Sequence, residues 1–142
     1  LIKKILLAFD GSQNALRAAK FAVDLQKSIP EARCVIIIVA SFTKDEAEFL
    51  GASATEFDNA LQINTNHMLQ SAMELFKSEG LKVEKVTLQG DIAQSIVAYA
   101  GEHNIDLIVM GTRGLGNVKG MLLGSVSNKV IHLAHCPVTV VK

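Results

Sequence analysis

Apolar residues in this chain fall into five short runs, separated by longer stretches in which they recur every three or four positions. The runs cover residues 4–9, 34–39, 83–88, 107–110 and 138–141, are rich in Ile, Val and Leu, and read as strands. Their near-continuous apolar character predicts strands covered on both faces, the habit of parallel sheets. The stretches between them read as helices. The first follows Ser12, a suitable N-cap, and runs toward Ser28 with Leu16, Ala19, Ala22 and Val23 on one stripe. The second occupies about residues 55–79, with Phe57, Leu61, Met68, Ala72, Leu75 and Phe76 at helical spacing and Gly80 as the stop. A third, over about 92–103, has Asp91 placed to cap it and turns Ile92, Ile96, Tyr99 and Ala100 inward. A fourth, over about 125–134, does the same with Val126, Val130, Ile131 and Ala134. Strands alternating with helices in this way predict an α/β fold built on a doubly wound parallel sheet. The connection 41–53 is polar and acidic with Phe42, Phe49 and Leu50 scattered through it, and its length marks it as a functional lid or a partly disordered segment.

Size and charge narrow the function. A chain of 142 residues is expected to form one domain over 1–142, large enough to bury a core without disulfides or metal. Fourteen basic and fourteen acidic side chains cancel, and no basic stripe with interleaved aromatics is present, which argues against a nucleic-acid partner. No apolar run approaches the length of a membrane span, and the opening residues are too short for a secretion signal before Asp10 intervenes. A cytoplasmic protein with no membrane partner is the expectation. Cys34 and Cys136 form neither a Cys-x-x-Cys unit nor a zinc spacing and read as separate free thiols.

The chemistry concentrates after the fourth run. Gly111-Thr-Arg-Gly114 follows it directly, and nine residues later comes Gly124-Ser125, at the start of the last helix. Close-set glycines at a strand end let backbone N–H groups approach a ligand, and a helix N-terminus adds unsatisfied amides and a positive dipole. Both features suit phosphate. Arg113 and Lys119 lie inside this frame and can pair with phosphate oxygens or serve as ordinary surface charge. Asp10 ends the first run, at the sheet edge where open α/β folds bind ligands, and its alternative role is an Asx-turn or cap before the first helix. Rival motifs fail. Neither glycine cluster is followed by the Lys-Ser/Thr pair of a P-loop, and Gly124-Ser125-Val126-Ser127 is not a nucleophile elbow. His132 and His135 share a helix face without an identifiable third ligand. No general base, arginine constellation or water-positioning group for phosphoryl transfer is identifiable.

The opening Ile5-Leu-Leu-Ala-Phe-Asp10-Gly11-Ser12, the block from Asp106 to Met110, the Gly-x-x-Gly, nine, Gly-Ser frame and the closing Cys136-Pro137-Val-Thr-Val-Val141 together resemble the nucleotide-binding universal stress proteins. That resemblance implies strand order 3-2-1-4-5 in an adenine nucleotide alpha hydrolase-like sheet, with ATP in the crevice between strands one and four. Carried over residue by residue, Ala8 and Asp10 would flank the base and ribose, with Val39 and Met110 making apolar contacts. Gly111, Gly114, Gly124, Ser125 and Val126 would hold the phosphates, and Mg²⁺ or Mn²⁺ could ride on their oxygens. In that order residues 138–141 form an edge strand, a natural seam for a homodimer. A departure from the family pattern is Gly90-Asp91-Ile92, where many relatives place proline shortly after the glycine. The expected function is an ATP-binding stress-response or signalling module, with slow ATP hydrolysis at most. The alternatives are a slow ATPase or nucleotide-processing enzyme, and an interaction protein that binds AMP or a cyclic nucleotide.

Overall fold

Alternate residues of β1 (Lys4–Ala8) enter two different apolar cores: Ile5 and Leu7 pack on one face of the sheet, Leu6 and Ala8 on the other. A strand's two-residue period makes this possible only when both faces are covered. The computed structural model describes residues 1–41, 44–113 and 123–142, apart from the side chain of Lys44. Within them β1 is followed by α1 (Gln13–Ser28), β2 (Arg33–Ala40), α2 (Lys44–Phe49), α3 (Ala54–Ser78), β3 (Val83–Gln89), α4 (Ile92–Glu102), β4 (Leu107–Gly111), α5 (Ser125–Leu133) and β5 (Val138–Val141). All strand pairs are parallel and the order is β3-β2-β1-β4-β5, as the sequence resemblance implies. Leu6 of β1 lies opposite Val35 of β2 and Ile108 of β4, so the strand order reverses direction at β1.

One face carries α1 and α3. Ala15, Ala18, Ala19 and Ala22 let α1 approach the sheet closely, and Leu69, Ala72 and Phe76 bring α3 down beside it. The other face carries α4 and α5 through Ala93, Ile96, Ala100 and Val130. Local signals place the helix ends. Ser12 Oγ accepts from Ala15 N–H at 3.1 Å, and Asp91 Oδ1 accepts from Gln94 N–H at 2.9 Å. Gly80, at φ +70°, ends α3 in the left-handed conformation that glycine adopts without penalty.

The connection 41–53 differs from the sequence reading, because part of it is the helix α2. Six residues with one buried apolar side chain, Ala47, give no periodic signal to read. A capping box between Ser53 and Glu56, each side chain bonded to the other's backbone N–H at 3.1 Å, then opens α3. Two helix positions differ from the expected stripes: Ile131 is exposed and Ser127 is buried. Tyr99 packs half-buried against the core as expected and also stacks on the ring of His103 with centroids 3.8 Å apart.

Both cysteines are free, and β1 and β4 separate the strands that carry or adjoin them. Burial pushes the Cys34 thiol up to about 12. Asp106 fastens the amino-terminal ends of β1 and β4 by accepting from the N–H groups of Lys3 and Lys4 at 2.9 Å each, and those bonds hold its carboxyl below the usual range.

Gly111 has a packing reason that the sequence does not reveal. A Cβ there would stand 2.8 Å from Asn14 Cβ and 2.9 Å from the Asn14 carbonyl carbon, so the missing atom is what lets the first turn of α1 sit against β4. Gly101, in α4, faces open space. Gly111→Ala should therefore destabilise by about 1–3 kcal/mol through overpacking, whereas Gly101→Ala should stabilise by about 0.5–1 kcal/mol through helix propensity. Urea unfolding of the two variants checks both signs.

Candidate functional site

The direction reversal between β1 and β4 leaves a gap at the carboxyl edge of the sheet, where ligands of open α/β folds bind. On the α4 and α5 face this gap is a crevice of about 360 Å³. Its floor is Ala8, Ile37, Val39 and Met110, its side is Ile92 and Ile96 of α4, and its far end is the first turn of α5. The small side chain of Ala8 keeps the floor low. Ala8, Asp10, Val39, Met110, Gly111, Gly124, Ser125 and Val126, all singled out from sequence, line this one crevice, and Arg113 joins them. Gly114 and Lys119 lie outside the described residues.

One end of the crevice is apolar and the other is lined by the first turn of α5. Helix α5 has Gly124 as its N-cap, which offers no side-chain hydrogen bond, and the first intrahelical bond is from Asn128 N–H to the Gly124 carbonyl. The N–H groups of Ser125, Val126 and Ser127 therefore have no acceptor within the helix, and the helix dipole adds its positive end. Gly124 behaves differently from the sequence expectation that its amide holds phosphate. Its N–H donates to the Thr112 carbonyl at 2.7 Å, which leaves its contribution as the absence of a side chain.

The turn is held from below. Ser127, buried, donates its hydroxyl to the Thr112 carbonyl at 2.7 Å and lies 3.1 Å from the Gly124 carbonyl, while Thr112 N–H donates to Val141 at 2.9 Å. On the α1 side, Asn14 Nδ2 donates to the Arg113 carbonyl at 3.3 Å, Arg17 donates to Asn14 Oδ1, and Arg17 Nε donates to the Lys142 carbonyl at 2.7 Å. Sequence reasoning had no role for Asn14, Arg17 or Ser127. A polar residue buried on an otherwise apolar helix stripe, as Ser127 is, was the available signal.

Asp10 forms the Asx-turn anticipated as its alternative role: Oδ1 accepts from Ser12 N–H at 2.9 Å. The two roles are compatible, because the carboxylate keeps a second oxygen and the residue lines the crevice. Gly11 follows at φ +83°, a conformation that L side chains rarely adopt. Ile37, Ile92 and Ile96 were legible as core positions but not as lining. Ile37 shares its face with Val39 by the two-residue period, which is the signal that identifies it.

An open parallel sheet with a crevice at its switch point places the chain among the doubly wound α/β proteins. The family model of the universal stress proteins matches residues 1–142, and the chain belongs to that family. It is 36% identical over 146 residues to Universal stress protein MJ0531 of Methanocaldococcus jannaschii, a match covering 100% of this chain and 83% of that one. Among solved structures it is similar to MJ0577 of the same organism at TM-score 0.84 and 29% identity, over 99% of this chain and 95% of that one. A universal stress protein solved in complex with cAMP shares the fold at TM-score 0.72 and 24% identity, over 99% of this chain and 97% of that one.

Proposed function

We propose that this chain is a single-domain, cytoplasmic, ATP-binding module of stress response or signalling. The observation that carries this reading is the uncapped first turn of α5 at the polar end of the crevice. Adenine would lie on the apolar floor formed by Ala8, Ile37, Val39 and Met110, with the ribose beside the free oxygen of Asp10. The phosphates would take the amides of Ser125 and Val126, the Ser125 hydroxyl and the Arg113 guanidinium. A divalent ion such as Mg²⁺ or Mn²⁺ would be held by the phosphate oxygens and would neutralise part of their charge. Binding without rapid turnover fits the lining. Its described ionisable side chains are Asp10 and Arg113, and one oxygen of Asp10 is committed to a turn.

Calorimetric titration with ATP, AMP and cAMP tests the reading. ATP should bind, and Gly124→Val should weaken it by roughly tenfold or more, because new methyl groups would stand where phosphate approaches the backbone. The backbone of Gly124, at φ −74° and ψ 167°, is open to any residue, so the variant should fold. Unchanged ATP affinity in folded Gly124→Val would remove the phosphate assignment. Tighter binding of AMP or cAMP than of ATP would replace the proposed ligand, and release of phosphate during the titration would identify a slow ATPase.

We further propose a homodimer through β5. Among the described residues that strand pairs with β4 alone, its four residues are half-buried, and it stands at the edge of the sheet, where a second copy would pair with its free side about a two-fold axis. Light scattering after gel filtration should report twice the chain mass at micromolar concentration, and Thr139→Pro should lower it. A monomer under those conditions would exclude this interface.

A further inference from the structure

The opposite face of the sheet carries a second cavity, of about 740 Å³, distinct from the crevice proposed for the nucleotide. Three walls enclose it: the carboxyl ends of β1 and β2, helix α2, and the amino-terminal half of α3. Its apolar lining comes from Ile38, Ala47, Phe57, Leu61 and Met68. Further alanines, at 40, 52 and 60, leave width for a flat or branched apolar group. The volume is that of a small-molecule site, and burial of such a group would remove apolar wall and ligand surface from water together.

Charge selects among apolar ligands. The ionisable residues lining the cavity are Asp10 and Glu56, both acidic, with the neutral polar side chains of Ser41, Asn64 and Thr65 between them. No Lys, Arg or His contributes among the described residues. The surrounding chain repeats the sign, since residues 44–61 hold Asp45, Glu46, Glu48, Glu56 and Asp58 against a single basic residue, Lys44. Glu56 and Asp10 each give one carboxylate oxygen to a backbone N–H and keep their negative charge, so an anionic ligand would be repelled at the rim, whereas a protonated amine would be drawn to it.

We propose that this cavity binds a small lipophilic amine in its protonated form, with the apolar body between Phe57, Leu61 and Met68 and the ammonium at the Glu56 and Asp10 rim. Phe9, Asp10 and Val39 line both cavities, so the test must separate the two sites. Methionine methyl groups do so, because Met68 lines only the second cavity and Met110 only the first.

The experiment is NMR of protein labelled at the methionine methyls, titrated with 1-naphthylmethylammonium and, separately, with 1-naphthoate, which share a ring system and differ in the sign of charge. The amine should shift the Met68 resonance saturably, leave Met110 in place, and bind roughly tenfold more tightly than the carboxylate. Glu56→Gln, which keeps a side chain able to complete the capping box, should remove most of that preference. Ala60→Trp, an exposed position on the cavity wall, should abolish the Met68 shift while the far-UV spectrum stays native. The proposal is overturned by equal affinity for the two probes, by a shift at Met110 in place of Met68, by the absence of a saturable shift, or by undiminished binding to folded Ala60→Trp.

Discussion

The carbonyl of Thr112 is the point on which the crevice depends. It sits one residue past the end of β4 and accepts from both the Gly124 N–H and the Ser127 hydroxyl, each at 2.7 Å. Those two bonds hold the start of α5 against the sheet although eleven residues separate Thr112 from the Gly124 cap. With Gly124 committed in this way, the amides that follow it point outward from a fixed helix end. Buried hydrogen bonds of this kind have a modest net value when made, and leaving the carbonyl unpaired costs more, so the arrangement is strongly preferred over a frayed one.

The same economy governs the other rim. Asp10 closes the turn after β1 by accepting from Ser12 N–H, Gly11 takes the left-handed conformation, and Ser12 caps α1. A Cβ at Gly11 would come within 3.0 Å of Met68 Cγ, so the turn is also packed against α3. The switch-point crevice and the cavity beneath α2 and α3 thus share a wall made by Phe9, Asp10 and Val39.

Much of this was legible before any coordinates. Apolar runs located all five strands to within a residue or two: β1, β2 and β4 because a strand buried on both faces leaves an unbroken signature, and the edge strands β3 and β5 although none of their residues is fully buried. The glycine frame located the crevice, and eight of the residues named from sequence meet there. What escaped the sequence escaped for physical reasons. Helix α2 is too short to show a period, and its presence converts the connection after β2 into a wall. The glycines also have structural roles that the sequence does not show: Gly111 makes room for α1, and the Gly124 N–H is bonded to the Thr112 carbonyl. Asn14 and Ser127 are polar residues whose partners are distant backbone carbonyls, information that no local pattern contains.

The central claim is positional: phosphate at the first turn of α5 and adenine on the β1 and β4 floor. Determination of the crystal structure with a non-hydrolysable ATP analogue tests it most directly. The account predicts phosphate oxygens within hydrogen-bond distance of the Ser125 and Val126 amides and the adenine ring against Ala8, Val39 and Met110. A nucleotide bound elsewhere, or one in the crevice with its phosphates turned away from α5, would contradict it.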